Sequence, residues 1–250
     1  MKIATYNISG GFYIGDESTE YLDRPPAEKF DNKMLDEIID VINQKDIDII
    51  CFQEIITTKK VKYIENIAKN TNLKYIDFIE IHDCNLVKNT RNGAAILSRF
   101  PILKTVKGFF PNPLLSKTTA SGNTYHMYNK GYMISEIDIN NEKVKIFNHH
   151  NFPFRRFNSA AHLNQEVFDH FNDVIKTFEP DCVVGDFNTE DYMELVEELR
   201  KNYSKTVNNV STVDGKSFDE ILVKKGMKTS LETMKLLSDH FLEIVTIYKS

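Results

Sequence analysis

Five short polar clusters carry the residue types of a hydrolytic site: Asn7, Gln53-Glu54, His149-His150, Asp186 with Asn188, and Ser238-Asp239-His240. Carboxylates and amides offer oxygen to hard divalent cations, and imidazoles hold or move protons near neutral pH. A single acid at the end of a strand says little. Here each cluster ends or opens a segment that reads as a strand. In layered α/β folds, sites gather at strand ends, where the sheet fixes the backbone and the loops leave room for a substrate.

The elements that would position these clusters follow from the apolar periodicity. Residues 2–8 alternate as a strand, and the Gly- and Pro-containing stretch 9–27 reads as a long loop. Phe30, Met34, Leu35, Ile38, Ile39 and Ile42 are spaced for a helix over 27–44. The apolar run 47–53 suits a strand covered on both faces. A helix over 59–70 and a strand over 74–81 follow, then strands at 94–98 and 102–110 around Pro101. Residues 111–131 read as a second long loop, and Asn140-Asn141-Glu142 as the turn of a hairpin ending in His149-His150. Helices are expected over 158–178 and 189–202, flanking a buried strand that ends in Asp186. FDEILV and HFLEIVTIY read as the final strands. About ten strands in mixed order, with helices between, suit two packed sheets with helices outside. Without a linker, repeat or low-complexity tract, one domain over 1–250 is the expectation.

Composition narrows the function. The 250 residues are 41% hydrophobic and 27% charged, which excludes collagen-like, mucin-like and disordered chains. A net charge of −5 argues against gripping long nucleic acid by bulk charge. The basic residues that do cluster are Lys59, Lys60 and Lys62, and Arg155 with Arg156. Three cysteines, Cys51, Cys84 and Cys182, make neither a disulfide framework nor a zinc site. With no transmembrane run and no signal peptide in MKIATYNI, a cytoplasmic monomer is expected.

The motifs TYNI, CFQEI, GAAILSRFP, FNHHN, GDFN, SFDEILV and SDH occur in an order that resembles the endonuclease/exonuclease/phosphatase superfamily, over essentially the whole chain. That resemblance implies a four-layer α/β/β/α sandwich of the DNase I type, hydrolysing phosphate esters with Mg²⁺ or Mn²⁺. Position by position, it assigns Glu54 as the main metal-binding carboxylate, with Asp239 and Asn7 at or near the metal. Asp186 would orient or deprotonate the attacking water, with Asn188 beside it, Asn188 also suiting a helix N-cap. His240 would contact the scissile phosphate, oriented by Asp219, and His150 would be the second histidine, leaving His149 structural. The chemistry is sound in itself: adding water to an anionic centre needs a hard cation, donors for the charge that develops, and a base.

His150, and the lack of a lysine directly after QE, both speak against the abasic-site endonuclease branch. The run NFPFRRFN departs from the family pattern. Arg155 and Arg156 stand there as candidates for binding a substrate phosphate or polar head group, or equally as a solvated turn. Phe152, Phe154 and Phe157 would offer stacking surface around them, or pack under the following helix. The leading expectation is a nuclease or phosphodiesterase whose substrate is a phosphate ester, nucleic acid included in short or flexible form. The alternatives are a phosphatase or phospholipase-type enzyme acting on an inositol phosphate or lipid head group, and a non-catalytic binding module on the same fold.

Overall fold

A computed structural model of the chain describes residues 1–11, 32–57, 63–84, 88–206 and 215–248. The lysine cluster at 59–62 and most of the loop expected over 9–27 lie outside them. The first sheet contains β1 (Lys2–Asn7), β2 (Ile49–Thr57), β3 (Tyr75–Asp83), β4 (Arg91–Ser98), β13 (Lys228–Lys235) and β14 (Phe241–Tyr248), in the order β13-β14-β1-β2-β4-β3. The second contains β5 (Ile102–Phe109), β8 (Gly131–Ile139), β9 (Glu142–His150), β10 (Cys182–Asp186), β11 (Tyr203–Lys205) and β12 (Asp219–Lys224), in the order β11-β12-β10-β9-β8-β5. Helices α1 (Asn32–Lys45) and α2 (Tyr63–Asn70) pack on the first sheet. The second is covered by α3 (Gln165–Phe178), α4 (Tyr192–Leu195) and α5 (Glu197–Asn202). The result is an α/β/β/α sandwich.

Strand periodicity decides what each layer holds. Side chains alternate between faces, so Ala4 and Tyr6 pack toward the helices while Ile3 points between the sheets. Thr5 and Asn7 continue that inner face. In β9, Phe147 joins the helix-side core and Ile146 the inter-sheet core. Asn148 and His150 therefore share the inner face, and His149 faces the helices. The same alternation places Asp186 with Val184, Asp219 with Ile221, and Glu243 with Val245 between the sheets.

The structure departs from the sequence reading in several places. A two-stranded ribbon, β6 (Ser116–Thr118) with β7 (Thr124–His126), occupies part of the second expected loop. The helix expected from 158 starts at Gln165, because Asn158 adopts a left-handed conformation (φ 55°) closing a short 3-10 turn at Phe154–Phe157. The helix expected over 189–202 breaks at Val196, which is extended and buried. Edge strands β11 and β13 were not foreseen. Among the described residues, no helix is long and apolar enough to cross a membrane.

Candidate active site

Topology alone brings the five clusters to one end of the sandwich. β1 and β2 run parallel, with Asn7 level with Gln53. β9 and β10 also run parallel, and His150 pairs in register with Asp186. β12 runs antiparallel to β10, so its first residue, Asp219, sits opposite Asp186. β14 runs antiparallel to β1 and opens just after His240, at the same end.

The sheets are joined there by buried amides. Gln53 donates to Asn148 Oδ1 at 2.8 Å, and Asn148 donates to the carbonyls of Phe52 (3.2 Å) and Ala95 (3.0 Å). Glu54 follows on a β-bulge: the pairing with β4 slips between Gln53 and Ile55, and Glu54 takes φ 53°. A bulge re-aims the side chain it carries. Here Gln53 stays inside while the Glu54 carboxylate emerges, partly exposed, near His150, whose Nε2 is 3.7 Å away.

Asp186 occupies the centre. Asn7 Nδ2 donates to its Oδ2 at 3.0 Å, the Asn188 backbone N–H donates to its Oδ1 at 2.8 Å, and His150 Nε2 is 3.5 Å from Oδ2. Burial and the neighbouring Asp219 charge push its pKa up to about 7, against the opposing pull of His240. Asn188 sits in a left-handed turn (φ 53°), its side chain donating to Asn151 O at 3.0 Å. It caps no helix: α4 begins four residues later, at Tyr192.

Asp219 Oδ2 lies 2.7 Å from His240 Nδ1. Burial opposes charge on this imidazole, but the Asp219 carboxylate outweighs it, with Asp186 and Asp239 adding to the pull, and the pKa rises to about 10. Asp239 is held by Ser9 Oγ and Ser238 Oγ. Burial would raise its pKa, yet His240, Ser9 and Arg156 together hold it below the usual value. His150 is pushed the other way from His240. Burial, then the charge of Lys130, keeps it neutral.

Lys130 was not foreseen. It lies just before β8, buried, with Nζ 2.9 Å from His150 Nε2 and 3.8 Å from Glu54 Oε1. Nothing in the stretch YNKGY marks this lysine out in the sequence. Asn148 was legible in principle, as an amide on the inner face of a strand that otherwise reads as buried.

The arginine pair divides. Arg156 lines a cleft beside Glu54 and Lys130, together with His82, Asn92 and Tyr128, whereas the Arg155 guanidinium stands over the Phe218 ring at 5.7 Å. Phe152 and Phe154 are buried and pack with Phe168 in the core under α3, so only Phe157 is left to face the cleft. His149 is enclosed by Phe147, Phe171 and Phe187, as a structural residue would be.

Asp186, Asp219 and His240 present ligand atoms all within 4.8 Å of one another. Asp219 Oδ2 and His240 Nδ1 are already paired with each other, so this trio reads first as a hydrogen-bonded pair beside an acid. The donors left over, Glu54, Asp239, Asp186 and Asn7, offer oxygen only, which fits a hard divalent cation. The mutual repulsion that burial imposes on Asp186 and Asp219 is what such a cation would relieve.

Acids, amides and a buried Asp–His pair thus converge on one end of an α/β/β/α sandwich. The Endonuclease/Exonuclease/phosphatase family profile matches residues 4–240, and the chain belongs to that family, which is generally divalent-metal dependent and hydrolyses phosphate esters. Among curated proteins none matches the sequence significantly. Solved structures with the same fold include a family protein from Leptotrichia buccalis (17% identity, all of both chains covered, TM-score 0.68). Another is the Bacteroides thetaiotaomicron mannosyl-6-phosphatase Bt3783 (14%, all of both chains, TM-score 0.62). A humanized D. rerio TDP2 aligns at 15% identity over 100% of this chain and 99% of its own, with a TM-score of 0.60.

Proposed function

We propose that the chain is a Mg²⁺- or Mn²⁺-dependent phosphoesterase that hydrolyses its substrate by in-line attack of water. The observation that carries this reading is the placement of Asp186 between Asn7, His150 and the Asn188 N–H, directly beside the Asp219–His240 pair. A buried carboxylate with a pKa of about 7 is matched to accepting a proton from water near neutral pH. Asn7 and the Asn188 N–H fix its two oxygens. His240, kept protonated by Asp219, donates to a non-bridging phosphoryl oxygen as charge builds, while neutral His150 accepts from Lys130 at Nε2 and holds that ammonium at the site. Glu54 and Asp239, with Asn7 close by, would hold the cation. When bound, it supplies positive charge at the phosphoryl oxygens. As the water oxygen bonds to phosphorus, the ester P–O bond breaks and the departing alkoxide takes up a proton from solvent, to which Asp186 returns the one it accepted.

The sequence favours a phosphodiester, in a short or flexible nucleic acid. Lys130 favours the second reading, a phosphatase, and a mannosyl-6-phosphatase shares the fold. The test is the purified protein with Mg²⁺ or EDTA on plasmid DNA, oligonucleotides, bis-p-nitrophenyl phosphate and inositol phosphates. Turnover of at least one substrate should vanish in EDTA, and Asp186→Asn should lower kcat roughly 10²-fold or more while keeping the fold. Full activity in EDTA, or wild-type turnover in Asp186→Asn, refutes the assignment.

A further inference from the structure

Lys130 is a cation that the proposed chemistry does not require. Its ammonium sits in the gap between Glu54 and His150, 2.9 Å from an imidazole nitrogen and 3.8 Å from the nearer Glu54 oxygen. A buried ammonium with neutral imidazole as its nearest partner is poorly compensated, and it has three N–H donors to place. Beside it opens a small cleft. One wall is the stacked pair His82 and Tyr128, with ring centroids 4.6 Å apart and planes 8° from parallel. Asn92 and Arg156 also line it. His82 Nδ1 lies 2.7 Å from the Asp83 carbonyl, which can only accept, so Nε2 is left as an acceptor for a ligand hydroxyl. The cleft volume is about 60 Å³, on the order of two waters' share of liquid water.

A phosphomonoester presents three terminal oxygens and up to two negative charges. A diester presents two terminal oxygens and one charge, and its second ester oxygen carries a carbon chain that must leave the site. His240 and the Glu54–Asp239 side account for two terminal oxygens. Resting on the phosphoesterase reading above, we propose that the site is built for a phosphomonoester: Lys130 binds the third terminal oxygen, and the ester group extends outward past the mouth of the cleft between the His82–Tyr128 wall and Arg156. Lys130 is then the specificity-determining residue, because an esterified oxygen in its place is uncharged and its substituent collides with the buried lysine. Water adds to phosphorus as Asp186 takes one of its protons, the ester P–O bond breaks, the departing alkoxide takes a proton from solvent water, and Asp186 returns its proton to solvent, giving inorganic phosphate and an alcohol.

The experiment compares p-nitrophenyl phosphate with bis-p-nitrophenyl phosphate, which share a leaving group, on the wild type, Lys130→Met and Lys130→Arg with Mg²⁺. The wild type should prefer the monoester in kcat/KM by about 10²-fold or more. Lys130→Met should lower the monoester value by roughly 10²-fold and shrink the preference at least about tenfold, with Lys130→Arg intermediate. Calorimetry gives an independent reading: inorganic phosphate should bind the wild type at least about tenfold tighter than it binds Lys130→Met, and dimethyl phosphate should show no such difference. A wild type that prefers the diester overturns the proposal, and so does an equal loss on both substrates. If Lys130→Met does not fold, the wild-type ratio and Lys130→Arg decide. A wild type inert on both esters yet active on plasmid DNA or oligonucleotides overturns the proposal alone, and one inert on every substrate named above with Mg²⁺ and Mn²⁺ overturns the phosphoesterase reading itself.

Discussion

Replacing Asp219 with Asn removes the charge that keeps His240 protonated and one of the causes that raise the Asp186 pKa. The buried carboxylate lies 2.7 Å from His240 Nδ1 and takes the imidazole pKa from 6.5 to about 10, against the burial that would lower it. The amide oxygen of Asn can still accept from Nδ1–H, so ring orientation survives and the counter-charge does not. If the variant imidazole returns to its ordinary value near 6.5, its protonated fraction is about 0.76 at pH 6, about 0.24 at pH 7 and about 0.03 at pH 8. The wild-type ring stays charged across that range. Turnover that depends on the imidazolium should thus fall little at pH 6, about fourfold at pH 7 and about thirtyfold at pH 8. The assay is kcat from pH 6 to 9 on a turned-over phosphate ester, with NMR titration of the imidazole as a direct check. A loss of equal size at every pH would refute the reasoning, as would an unmoved titration midpoint.

Glu243 lies buried between the sheets, where burial, then the charges of Glu220 and Asp219, hold its carboxyl well above the usual range. The unfolded chain releases that proton near pH 4.3 while the folded one keeps it, so wild-type stability should fall by about 1.4 kcal/mol per pH unit above that point. Glu243→Gln removes the slope and should gain up to about 3 kcal/mol on the wild type between pH 5 and 7 in urea melts. Identical pH dependence in the two proteins would show that the carboxyl ionises in the fold. Gly185 has φ 144°, and a Cβ there would meet the His149 carbonyl oxygen at 2.0 Å. Gly185→Ala should lose at least about 3 kcal/mol in a thermal melt, and a wild-type melt would mean that β9 and β10 are not paired this closely.

The sequence shows most clearly what local pattern controls. The apolar runs of β2 and β10 and the Asn140-Asn141 turn between β8 and β9 stand close to where periodicity puts them. The polar residues at their ends are legible because a strand end is a local feature. The choice of His150 over His149 rests on the family resemblance, and the period-two alternation of β9, with Phe147 on the helix side, agrees with it. Strand β13 escaped because it is an edge strand, and its alternation of exposed and half-buried residues carries little apolar signal. Lys130 escaped because its burial depends on Glu54, His150 and the cleft walls, which are far from it in the chain.

The bulge at Glu54 sets two kinds of fitness against each other at one position. A non-glycine residue held at φ 53° costs the fold of order 1 kcal/mol or more, and glycine would relieve that cost while deleting the carboxylate. A laboratory lineage selected only for heat resistance should therefore drift toward Gly at position 54, losing catalysis as it gains robustness. One selected for turnover should retain the acid and accumulate its compensating changes elsewhere, in the apolar layers beneath the helices.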